Sequence, residues 1–223
     1  MRLLIIAKYL MLVMGAFACT HLFAHNYPKS TKEILLLPLS QQQRIDSLFR
    51  FSLQHYYYDV SYFKEISRHI ISLSEKEEYE IGQAKGYILS SLVANEQADL
   101  SQVYHFAQQA LLHIPQEPAS EELALALYCK GNYLRRKKRD REALETLIQG
   151  LEVAEKVGYK RMEASFNNLL GIMYVGRAEY DRALDYYDKV FAIAKADNDK
   201  GKLQQVYTNK GIVYMRQQRY SEA

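Results

Sequence analysis

Small residues return along this chain at a fixed interval. Gly131, Gly171 and Gly211 are evenly spaced, Ala143, Ala183 and Ala223 keep the same period of forty, and each glycine precedes its alanine by twelve positions. The pairs Ala124/Ala164, Leu144/Leu184, Ala154/Ala194 and Lys160/Lys200 repeat in the same phase. Tyr174 and Tyr214 lie three after their glycines and Tyr180 and Tyr220 nine after, with Leu134 and Asp140 at those places in the earlier copy. Such a repetition restricts the chain to a stacked array, because one short supersecondary unit buries its apolar face only against its neighbours.

Within a period the apolar spacing predicts two helices. Residues 161–175 carry Phe166, Leu169, Leu170, Met173 and Tyr174 on one helical face, and residues 182–196 carry Ala183, Leu184, Tyr187, Val190, Phe191 and Ala194. Polar turns join them, with Gly158 expected as a left-handed cap. The small residues are expected where paired helices approach closely, with Gly171 against Ala183. Stepping back by one period predicts helices over 79–95 and 100–114, and by a second period helices over 41–58 and 61–73, the earliest opened by Ser40 and Gln43 in a capping box. Pro115 and Pro118 mark a junction, after which Ser120 caps the next helix. The expectation is an all-α chain with about four repeats plus an incomplete fifth over residues 40–223. Its last helix pair is cut at Ala223, which is expected to make the sequence a fragment of a longer protein.

Leu170-Gly171, Tyr174, Tyr180, Ala183 and Tyr187, followed by Gly211, Tyr214, Tyr220 and Ala223, resemble the signature of the tetratricopeptide repeat family. The period near 40 is similar to the long-helix variant of bacterial signalling regulators and kinesin light chains. The resemblance implies a right-handed superhelical solenoid of antiparallel helix pairs whose first helices line a groove for a protein or peptide ligand. In register with Gly171 the implied groove residues are Ser165 and Asn168, joined by Tyr128, Asn132, Arg135 and Arg136 in the copy before and Gln205, Thr208 and Arg216 in the copy after. Amide and guanidinium donors beside apolar patches suit an extended peptide backbone.

Residues 1–24 have Arg2 and Lys8 as their only charges, an apolar stretch from Leu10 to Ala18, and the small-residue exit Ala16-Phe17-Ala18. This predicts a cleaved signal peptide, with an uncleaved membrane anchor as the rival, and hence an exported protein, periplasmic or anchored facing the periplasm. A lipoprotein at Cys19 fits less well, since Ala16 stands three before it instead of Leu. Loss of Arg2 and Lys8 takes the formal charge from +3 to +1, so no whole-molecule field attracts nucleic acid. Membrane contact is expected only through the amino-terminal segment or a span beyond Ala223.

Two cysteines and six histidines without ligand spacing predict no metal site, and no phosphate-cradling loop or nucleophile elbow occurs, so no cofactor and no catalytic residue is expected. Cys129 reads as a small buried apolar residue. The run Arg135 to Arg139 with Arg141 reads either as a solvated turn or as an anion-binding rim, and Tyr56-Tyr57-Tyr58 either as a recognition cluster or, since three successive helical residues point in three directions, as packing and shielding, which is favoured. The functional expectation is a protein-binding scaffold, the extracytoplasmic sensory part of a longer bacterial signalling protein, or alternatively a free-standing envelope adaptor.

Overall fold

The computed structural model describes residues 31–218. Residues 1–24, where a signal peptide is expected, and Tyr220 and Ala223 lie outside the described residues. Residues 1–39 form one unit, in which α1 (Thr31–Leu36) is described, and residues 40–223 form another. The second unit holds α2 (Gln41–His55), α3 (Val60–Lys76), α4 (Glu80–Glu96), α5 (Leu100–Leu112), α6 (Glu121–Arg136), α7 (Asp140–Val157), α8 (Lys160–Gly176), α9 (Tyr180–Ala196) and α10 (Lys200–Arg216). No strand occurs among the described residues, and none of the described helices is long and apolar enough to cross a membrane.

The local cues act as expected. Ser40 accepts from the Gln43 N–H while the Gln43 side chain accepts from the Ser40 N–H, so two donors at the start of α2 are satisfied reciprocally. Ser120 accepts from the Leu123 N–H and opens α6. Three C-terminal helix ends differ from the sequence expectation by two or three residues: α2 stops at His55 and not at residue 58, α3 runs on to Lys76 and not only to residue 73, and α5 stops at Leu112 and not at residue 114. Asp59 accepts from the Tyr62 N–H and starts α3 at Val60, so the chain must turn through residues 56–58. Tyr57 and Tyr58 are therefore on a turn, 49% and 74% exposed, and do not shield a core.

A single turn geometry, used repeatedly, spaces the helices. Glu78, Ala98, Lys138, Gly158, Ala178 and Asn198 all have φ between +49° and +70°. The residue after each donates its N–H to the carbonyl five residues back: Tyr79 to Ser74, Asp99 to Ala94, Arg139 to Leu134, Tyr159 to Ala154, Glu179 to Tyr174 and Asp199 to Ala194, at 2.9–3.0 Å. That is the six-to-one bond of a helix ended by one left-handed residue. Only Gly158 adopts this backbone without a Cβ penalty; at the other positions packing of the flanking helices holds an unfavourable conformation. The missing member of the series is Pro118, whose ring fixes φ negative, and the connection from α5 to α6 is correspondingly longer.

The expectation that Gly171 meets Ala183 is corrected by the packing. A Cβ on Gly171 would stand 2.5 Å from the Tyr187 ring, and one on Gly131 would stand 2.6 Å from the Leu147 side chain. The small residue of the first helix thus receives the side chain sixteen positions later, one turn beyond the repeat alanine. Ala183, fully buried, joins Ala164, Tyr174, Tyr187, Val190, Val206 and Val213 in a core that runs from α8 and α9 into α10. Successive first helices, α2, α4, α6, α8 and α10, pack on one another, whereas among the described residues no second helix packs on another second helix. A layer packed closely on one side and splayed on the other curves, with the first helices on the inner side.

Candidate functional site

The inner face formed by α2, α4, α6 and the start of α8 contains two adjoining cavities. The first, about 190 Å³, is lined by Asp46, Arg50 and Leu53 of α2, Lys85 of α4, Glu121, Glu122 and Leu125 of α6, and Tyr159 and Arg161, among others. The second, about 100 Å³, shares Leu53, Leu125, Tyr159 and Arg161, and adds Tyr56, Leu92, Tyr128, Met162 and Ser165. The shared residues make them one groove that crosses four helices contributed by successive repeats.

At one end Lys85, 8% exposed, ties three first helices together. Its ammonium donates to Asp46 Oδ1 of α2 at 2.6 Å and lies 3.4 Å from Glu122 Oε1 of α6, while the Tyr79 hydroxyl donates to the same Asp46 oxygen at 3.2 Å. Burial works against the charged lysine, but the hydrogen bond to Asp46 and the charges of Glu122 and Asp46 outweigh it and hold its pKa above the usual lysine value. One ammonium is shared by two carboxylates, so the cluster sets the spacing of the three helices and itself carries an excess of negative charge at this end of the groove.

The other end is aromatic. Tyr128 meets Phe166 edge to face at 5.8 Å between ring centres, which fixes the phenol that walls the cavity. Burial raises the Tyr56, Tyr128 and Tyr159 phenols above the usual tyrosine value, so they remain protonated donors. None of these three hydroxyls has a hydrogen-bond partner among the described residues.

The residues implied by the family resemblance are distributed unevenly. Tyr128 and Ser165 line the second cavity. Asn132, Arg135 and Arg136 lie further along α6: Arg135 donates to Asn132 Oδ1 at 2.8 Å, and Arg136 donates to Asn95 Oδ1 of α4 at 2.8 Å. Burial lowers the Arg135 pKa, and its buried Nε has no partner. Asn168, buried in α8, accepts from Asn209 of α10 at 2.8 Å. Gln205, Thr208 and Arg216 are exposed on α10. Of the signature residues, Gly131, Ala143, Gly171, Tyr174, Ala183 and Tyr187 are buried, and Tyr180, Gly211 and Tyr214 are half-buried. Arg139 and Arg141 of the basic run pair with Glu142 and Glu145 on their own helix.

The sequence reading missed Asp46, Lys85, Glu122, Tyr56, Tyr159 and Arg161. A signal existed for Lys85, which stands two full periods before the implied groove residue Ser165, with Leu125 midway. The acids and the tyrosines fall outside that register, and only stacking of the repeats brings them to the groove. Among the described residues no cluster of side chains suits a metal ion.

Residues 122–196 match the family model of the tetratricopeptide repeat, over α6 to α9, whose glycine and alanine positions carry the packing described above. These are tetratricopeptide repeats. The chain is similar in fold to the crystal structure of BtubC (BKLC) from P. vanneervenii, with a TM-score of 0.58 and 17% identity over 83% of this chain and 87% of that one. No curated protein sequence matches the chain significantly. Tetratricopeptide repeats generally mediate protein–protein interaction, and their helical array is typically a non-catalytic scaffold.

Proposed function

We propose that this protein is an exported scaffold, without catalysis of its own, that binds an extended segment of a partner polypeptide along the groove of α2, α4, α6 and α8. The observation that carries the reading is the continuity of the groove: its two cavities share four lining residues and cross helices from successive repeats. A surface of this form presents apolar floor, aromatic walls and separate polar groups at intervals, which an extended peptide needs along its length. Export is supported by the basic, apolar and small-residue order of residues 1–24. With that leader and the long repeat period, the role that fits best is the extracytoplasmic sensory part of a longer bacterial signalling protein. The near-neutral balance of the chain favours a protein ligand over nucleic acid.

Photo-crosslinking in the protein's own cells tests this. A photoreactive residue in place of Ser165, in the groove, is expected to give a discrete polypeptide adduct, while one in place of Glu152, exposed on α7 and away from the groove, gives none. Adducts only from position 152, or none from position 165, would overturn the groove assignment. Protease protection of the intact cells tests export, since digestion of the protein only after lysis of the inner membrane contradicts it.

A further inference from the structure

Two arginines line the groove with neither an ion pair nor a hydrogen bond among the described residues, Arg50 in the first cavity alone and Arg161 in both. Arg68 pairs with Glu65, Arg139 with Glu142, Arg141 with Glu145, and Arg177 and Arg182 with Glu179, while Arg135 and Arg136 donate to asparagines. The Arg161 guanidinium is exposed, lines both cavities, and has no ion pair or hydrogen bond among the described residues. Among the described residues it is the one charged group lining the second cavity, where Tyr56, Tyr128 and Tyr159 surround a floor of Leu53, Leu92, Leu125 and Met162. An uncompensated cation among three unpartnered phenol donors is a surplus of donors over acceptors. Tyr159 and Arg161 also flank the start of α8, which has no side-chain cap and whose N-terminal end carries partial positive charge.

The acids near this end do not remove the surplus. Glu122 faces Lys85, and Glu121 and Glu96 act on the tyrosines only through space. Because burial keeps the phenols protonated, they add donors and no negative charge. A group entering here must bring acceptors and an apolar neighbour.

We infer that Arg161 anchors an Asp or Glu side chain of the bound polypeptide, with an adjacent apolar side chain of that partner seated on the floor between Tyr56, Tyr128 and Tyr159. The guanidinium binds the carboxylate through paired N–H donors, and the tyrosine hydroxyls complete its coordination. The inference rests on the groove reading and gives it a specificity: acidic-apolar segments over basic or neutral ones.

The test is selection of randomised twelve-residue display peptides on the full chain, in parallel with the R161A and R161K variants, each first shown by circular dichroism to melt like the wild type. The wild type is expected to enrich peptides in which Asp or Glu lies within two positions of Leu, Ile, Met or Phe. Their affinity for R161A should fall about ten- to a hundredfold, the usual effect of losing a hydrogen bond to a charged group. R161K should recover part of that loss, since lysine keeps the charge but not the paired donors. Enriched peptides without acids, or acid enrichment that persists on R161A, overturn the anchor and leave the groove reading standing. Failure to enrich any peptide on the wild type overturns the groove reading itself.

Discussion

Replacement of Gly171 by alanine isolates the packing that sets the repeat. The added Cβ would stand 2.5 Å from Cε1 of Tyr187 and 2.9 Å from Cδ1 and Cζ. Contacts this short force the ring or the helix to move, and Tyr187 is only 2% exposed, held in the core shared with Ala183 and Val190. Overpacking of this kind costs about 1–3 kcal/mol. Against it, alanine in a helix interior gains about 0.5–1 kcal/mol over glycine. Steric cost wins, leaving a net destabilisation of about 1–2 kcal/mol, or roughly 2–8 °C in Tm for a domain of this size. Urea denaturation followed by circular dichroism measures it, with Gly176→Ala as the control, because nothing lies within 4 Å of a Cβ there. Tyr187→Ala in both backgrounds completes a double-mutant cycle, with a coupling of about 1 kcal/mol or more expected. A Gly171→Ala chain as stable as the wild type, or additive effects in the cycle, would falsify the account of why this position is small.

The left-handed turn positions predict a gain: Ala178, with φ of +59°, should stabilise the protein by about 1 kcal/mol when replaced by glycine, read as an increased urea midpoint. Ser40→Ala removes half of the capping box and should lower stability by about 1 kcal/mol in the same assay, with no loss expected from Ser72→Ala on the exposed face of α3. Burial pushes the Tyr187 phenol up to about 12 from an ordinary value of 10.0, so the folded chain keeps that proton to higher pH than the unfolded chain. The associated stability is complete below pH 10 and lost as the pH rises toward 12, a change on the order of 2–3 kcal/mol that Tyr187→Phe should remove. Parallel pH profiles for the two proteins from pH 9 to 12 would contradict this. Burial also pushes the Cys129 thiol up to about 12, so it should resist a thiol reagent at pH 8 in the folded protein and react once denatured.

Much of the architecture was legible in the chain because its causes are local or periodic. Ser40 with Gln43, Ser120 and Gly158 act within a few positions of themselves, and the alternation of apolar positions in residues 161–196 needs only helical geometry to become two buried faces. The spacing of Gly131, Gly171 and Gly211 revealed the repeat, and at Gly131 and Gly171 the same steric demand stands behind it. Tertiary structure alone decided that Tyr187 and not Ala183 fills the space at Gly171, since the offset between paired helices depends on the turn that joins them. It also decided the site. Lys85 reaches back along the chain to Asp46 and forward to Glu122, each slightly less than one period away, and Tyr56, Tyr128, Tyr159 and Arg161 meet around one cavity. Because those separations are near one period but not equal to it, no constant step along the sequence finds them. Side chains at unequal places in successive repeats converge only when the first helices stack closely and the second helices spread, a property of the curved array that no single repeat contains.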